Sequence, residues 1–133
     1  MDAIRYFSRT GNTKKMAEMI GEQLNLSAKP ISEPIKYPLD TLYLGGAIHM
    51  ASLDKELKQF AASLDAQQIG QVVMFGTSGG IMSIKKGLKK ALTENKVKVS
   101  SQGLFLHGFA PGKANFSEKQ QGEIKNFTAA LKG

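Results

Sequence analysis

Six consecutive residues near the amino terminus, Ser8-Arg9-Thr10-Gly11-Asn12-Thr13, gather the groups that hold an anion. Ser8, Thr10 and Thr13 offer hydroxyl donors, Asn12 offers an amide, and Gly11 lets the backbone come close to a ligand. The periodicity predicts a helix beginning near Asn12, whose unsatisfied N–H groups point back at this turn and whose dipole favours negative charge there. Lys14 and Lys15 fall in the first helical turn, where the dipole disfavours basic side chains, and a bound dianion offsets that. An ordinary strand-to-helix connection needs one capping hydroxyl. Three hydroxyls with an amide and a glycine read instead as a phosphate site. The turn lacks the Gly-x-x-x-x-Gly-Lys-Ser/Thr spacing of nucleoside triphosphatases and the Gly-x-Gly-x-x-Gly spacing of dinucleotide sites.

Other residues with chemical potential are few. The chain has no cysteine, which excludes disulfides and thiolate chemistry, and only two histidines, His49 and His107. Without carboxylate neighbours these two make a poor metal site. No residue is assigned as a catalytic acid, base or nucleophile.

The elements that must position the turn follow from hydrophobic periodicity. Ala3–Phe7 is a short apolar run, broken by Arg5, that ends in the turn. Met16, Ile20 and Leu24, with Ala17 beside them, give the first helix one buried stripe. Ser27–Ile31 reads as a weak strand that Pro30 confines to a sheet edge. Thr41–Leu44 reads as a strand ending at Gly45-Gly46. Asp54 caps a second helix whose Leu57, Phe60, Ala61 and Leu64 face inward. Val72–Phe75 is a continuous apolar strand that stops at Gly76-Thr77-Ser78-Gly79-Gly80. A third helix buries Ile84, Leu88, Ala91 and Leu92 and turns its lysines outward. Val97–Leu106 is the last strand, with a polar stretch at Ser100–Gln102 that interrupts it. Ser117 and Gln120 form a capping box before Ile124, Phe127 and Leu131.

The order β-α-β-β-α-β-α-β-α argues for a mostly parallel sheet with helices on both faces. Such sheets bind ligands outside the carboxyl ends of the strands, where strand order reverses. Three stretches should therefore open on one edge: Ser8–Thr13, Gly45–Met50 and Gly76–Gly80.

Length and composition set the outer bounds. A chain of 133 residues, 41% hydrophobic and 22% charged, is one globular domain spanning 1–133. Its start, Met1-Asp2-Ala3-Ile4-Arg5, does not read as a signal peptide, and no stretch is apolar enough to span a membrane, so a cytoplasmic location is expected. The net charge of +7 is unevenly placed. Residues 1–66 carry eight Lys/Arg against eight Asp/Glu, and residues 67–133 carry ten against three. Lys85, Lys86, Lys89, Lys90, Lys96 and Lys98 concentrate the excess around the third helix. A solvated helix face explains such a run; so does docking to an acidic redox partner or an anionic membrane surface. No aromatic residues are interleaved with the lysines, which argues against nucleic acid.

Tyr6-Phe7-Ser8-Arg9-Thr10-Gly11-Asn12-Thr13 resembles the flavin mononucleotide (FMN) phosphate loop of flavodoxins. Leu44-Gly45-Gly46-Ala47-Ile48-His49-Met50 and Phe75-Gly76-Thr77-Ser78-Gly79-Gly80 resemble the two loops that flank the flavin in that family. The resemblance covers essentially the whole chain. It implies a three-layer α/β/α sandwich with a five-stranded parallel sheet in the order 2-1-3-4-5, FMN as cofactor, and electron transfer with redox partner proteins. Carried over by position, Ser8, Thr10, Asn12 and Thr13 hold the phosphate, and Arg9 lends its backbone N–H or its side chain. Gly11 lets the turn close in. Ala47, Ile48, His49 and Met50 cover one side of the isoalloxazine, and Thr77, Ser78, Gly79 and Gly80 line the other.

The chain departs from the family in being basic, in lacking Trp, and in having a small neutral second loop. His49 reads either as a loop histidine facing solvent or as a residue against the flavin, where as imidazolium it would favour negatively charged reduced flavin and make the potential less negative. Two other readings stay open. Gly45-Gly46-Ala47-Ile48-His49 is also similar to a loop of flavodoxin-like protoporphyrinogen oxidases that use menaquinone, although their long late insertion is not visible here. A flavodoxin-fold binding module without flavin is the third.

Overall fold

The computed structural model describes residues 1–9, 11–49, 52–79, 82–108 and 116–132, with the side chains of His49 and Ser52 left aside. The strands are β1 (Asp2–Tyr6), β2 (Ala28–Pro30), β3 (Leu39–His49), β4 (Ser52–Leu53), β5 (Ile69–Thr77) and β6 (Val99–Leu106). The helices are α1 (Asn12–Leu24), α2 (Lys55–Ser63), α3 (Lys85–Glu94) and α4 (Glu118–Lys132). The path through the sheet is β2-β1-β3-β5-β6, every neighbouring pair parallel, and β4 pairs antiparallel with the end of β3. Counted without β4, this is the order 2-1-3-4-5.

Burial on both faces explains why the central strands read as unbroken apolar runs. Along β5, Val72 and Met74 join the core under α2 and α3, while Val73 and Phe75 join the core under α1 and α4. Leu42 and Leu44 alternate with Tyr43 in the same way along β3. Met16, Ala17 and Ile20 of α1, Leu57 and Ala61 of α2, Leu88 and Leu92 of α3, and Ile124 of α4 are the buried helical residues that meet these strands. The capping box is formed reciprocally: Gln120 N–H donates to Ser117 Oγ at 3.1 Å, and Ser117 N–H donates to Gln120 Oε1 at 3.0 Å.

The β2–β3 connection carries no helix. Ile31, Ile35 and Tyr37 of this strap pack on the core of the α2/α3 face. Arg5, the residue that breaks the first apolar run, points into the strap. Its guanidinium donates to the carbonyls of Glu33 at 3.1 Å, Pro34 at 2.7 Å and Ile4 at 2.9 Å. These bonds satisfy strap carbonyls that a helix would have satisfied internally. Burial lowers the Arg5 pKa from its ordinary value, against a smaller raising effect of Glu33.

Two strands run further than periodicity predicts. β3 does not end at Leu44; it continues through Gly45 and Gly46 to His49. The glycines are there for close packing rather than for a turn. A Cβ on Gly45 would stand 2.1 Å from the Phe75 ring, and one on Gly46 would stand 2.4 Å from Leu57 Cδ2. β5 likewise extends from Ile69 to Thr77, through Gly76. The polar stretch Ser100–Gln102 stays within β6 but coincides with a register shift, where Val72 pairs with Val99 and Met74 with Gly103.

Candidate functional site

The carboxyl ends of β1, β3 and β5 lie side by side. Phe7 N–H donates to Gly45 O at 3.0 Å, and Gly46 and Ala47 stand in register with Gly76 and Thr77. The three stretches singled out by sequence thus begin on one edge of the sheet, as expected. Thr10, Met50 and Gly80 lie outside the described residues. For His49 the backbone is described, in register with Ser52.

The first turn is built around the start of α1. Gly11, with φ 93° and ψ −13°, precedes the helix in a left-handed conformation that disfavours any residue with a Cβ. A Cβ there would meet nothing within 4 Å, so the turn is open in front of Gly11. Gly11 N–H donates to Ser8 Oγ at 3.0 Å, which leaves the Ser8 hydroxyl proton available for another acceptor. Asn12 and Thr13, polar residues, are buried at 5% and 1% exposure. The first turn of α1 contains no acidic residue, and Lys14 and Lys15 are exposed. A helix N-terminus without an acid, approached by buried polar side chains, has the donor chemistry that a phosphate dianion requires. The residues fit the phosphate end of FMN.

A second contact joins this turn to the β5 loop. Thr13 Oγ1 and Thr77 Oγ1 share a buried hydrogen bond of 2.9 Å. Ser78 N–H donates to Leu106 O at 2.9 Å, and Ser78 Oγ is 2.7 Å from His107 Nδ1. Gln120 of α4 donates to the His107 carbonyl at 3.1 Å. His107 therefore belongs to the frame behind the second loop, and Ser78 is its partner. Gly79, the next residue, is exposed.

Sequence reasoning treated Asp54 only as a helix cap. Asp54 occupies the position before α2, but its side chain makes no capping hydrogen bond to the helix; its buried carboxylate pairs with Arg9, Nη2 to Oδ1 at 2.8 Å, and Glu56 lies 3.9 Å from the same nitrogen. No local feature of the sequence signals this contact, because Arg9 and Asp54 meet only when β1 and β3 lie side by side.

The basic residues also sort by face. Eight exposed lysines of α2, α3 and the following segment 96–98 have only Glu56 and Glu94 as exposed acids among them. On α1 and α4, five lysines are offset by four glutamates. Among the described residues, no group of three His, Cys, Asp or Glu side chains could hold a metal, and no helix is long and apolar enough to cross a membrane.

A parallel sheet in this order, with an anion-binding turn after its first strand, defines the flavodoxin-like class of α/β proteins. A family model described as flavodoxin domain matches residues 3–125, and the chain belongs to that family. The family's cofactor is FMN. Among solved structures, the chain is similar to a flavodoxin from the domain Archaea, with TM-score 0.74 and 20% identity over 98% of this chain and 96% of that one. It is also similar to two-electron reduced Megasphaera elsdenii flavodoxin, with TM-score 0.65 and 20% identity over 98% and 99%. A third likeness is to rubredoxin oxygen:oxidoreductase from Desulfovibrio gigas, with TM-score 0.71 and 16% identity over 98% of this chain and 36% of that one. At these identities the likenesses show the fold. A search of curated proteins by sequence returns no match.

Proposed function

We propose that the protein binds one FMN at the carboxyl edge of its sheet and carries electrons between redox partners. Ser8, Thr10, Asn12 and Thr13, with the backbone of Arg9 and Gly11, hold the phosphate. The stretches 45–50 and 76–80 flank the isoalloxazine. The observation that carries this reading is the Thr13–Thr77 hydrogen bond, which fastens the anion turn to the loop assigned to the ring. When bound, the flavin supplies the electron chemistry; the chain holds it, orients it and leaves an edge exposed for transfer. Purified protein mixed with FMN should keep flavin absorption through gel filtration, and a chain that stays colourless contradicts the reading.

His49, at the end of β3, is assigned to the flavin edge. There an imidazolium would make the potential less negative. The difference in potential between the protein and its His49→Ala variant should grow as pH falls; no difference at any pH would remove His49 from this role.

The partner is assigned by charge as an acidic redox protein docking near the flavin edge or the Lys85–Lys98 face, in a cytoplasmic setting. A second reading keeps the same cofactor and adds a quinone or porphyrinogen substrate. The one-sided basic face favours it, because that face suits an anionic membrane surface. Catalysed turnover of either substrate would establish it.

A further inference from the structure

Arg9 sits in the phosphate turn, but its guanidinium is committed to the start of α2. Nη2 lies 2.8 Å from Asp54 Oδ1, with Glu56 Oε2 at 3.9 Å. The Asp54 side chain is only 6% exposed, so this is a charge-assisted bond to a largely desolvated carboxylate rather than a surface pair. Asp54 immediately follows β4, and β4 is held to the end of β3 by two register pairs, Ile48 with Leu53 and His49 with Ser52. A two-stranded ribbon this short is marginal in water and needs an anchor outside itself.

We propose that Arg9 is a positioning residue: the Arg9–Asp54 ion pair latches the phosphate turn to the β3–β4 ribbon, so that the two ends of the flavin site are set as one unit. The proposal rests on the FMN reading for its functional meaning, but the latch itself is a property of the chain without flavin. Asp54 is well suited to its end of the latch. It stands at the N-terminus of α2, whose dipole favours the ionised carboxylate. Arg9 reaches it from the other side of the edge, and its side chain is 54% exposed, so this cation can be replaced without opening the core. On this account the Arg9 side chain acts on the ring end of the cofactor through the ribbon. A guanidinium placed to contact phosphate directly would act on the phosphate end alone.

Two variants separate these roles. Arg9→Met keeps the apolar stem and removes the charge. Asp54→Asn removes the charge and keeps the size and shape of the side chain. Hydrogen exchange is followed on the full chain without added flavin. The latch predicts about tenfold faster exchange at residues 46–49 and 52–53 in either variant, unchanged exchange at 71–75, and no further gain in the double variant. FMN and riboflavin affinities should fall by the same factor, because both ligands carry the ring. Unchanged exchange in the ribbon overturns the proposal. So does a loss confined to FMN with Asp54→Asn silent, which would make Arg9 a direct phosphate contact. If the unaltered chain takes up no flavin at all, the functional reading fails while the exchange data still decide the latch.

Discussion

Thr13 and Thr77 are separated by 64 residues and meet through hydroxyls 2.9 Å apart in a buried setting. A buried hydroxyl that loses its partner keeps its desolvation cost, so breaking the pair costs more than the bond's net contribution to stability. Thr13→Val should destabilise the protein by about 1–3 kcal/mol in urea unfolding. Adding Thr77→Val should cost less than the sum of the two single changes; strict additivity would mean that the hydroxyls do not depend on each other. The residue types of the proposed site are local in sequence, because Ser8–Thr13 is one continuous turn whose donors suit an anion. The partners were not. Nothing local to Arg9 names Asp54, and nothing local to Ser78 names His107, since both pairs form only when strands distant in sequence come to lie side by side.

At the scale of elements, every helix and parallel strand expected from periodicity forms, and the departures are in where strands begin and stop and in the short antiparallel β4. Gly45-Gly46 looks like a stop because glycine punctuates sequence, yet here it admits Phe75 and Leu57 against a strand that continues. That distinction requires knowing what packs across the sheet. Gly45→Ala should therefore destabilise by about 1–3 kcal/mol, because its Cβ would meet a core ring and not a flexible tip. Gly122, inside α4, is the internal contrast. A Cβ there meets nothing within 4 Å, so Gly122→Ala should stabilise by about 0.5–1 kcal/mol. Thermal or urea unfolding of both variants checks the pair, and equal effects of the same sign would contradict the packing account. The edge strand β2 was legible for a physical reason as well: Pro30 cannot donate within a central ladder, and β2 is indeed outermost.

For the whole molecule, the sheet separates a strongly basic face from a nearly balanced one. Charge of one sign on one face steers association and is screened by salt. Reversing Lys86 and Lys89 to Glu should slow electron transfer to an acidic redox protein and weaken its salt dependence. Reversing Lys14 and Lys125 on the other face should do much less. Equal effects from both faces would leave the basic helix as a solvated surface with no docking role. Neither result bears on the proposed cofactor site, which lies at the carboxyl edge where β1, β3 and β5 end side by side.

The central claim, that the Ser8–Thr13 turn holds the phosphate of a flavin lying across that edge, is tested most directly by titrating the protein with FMN and with riboflavin. The two ligands share the ring and differ in the phosphate. The account predicts that FMN binds at least about tenfold more tightly, a difference of about 1.4 kcal/mol. Equal affinity for both, or binding of neither, would contradict it.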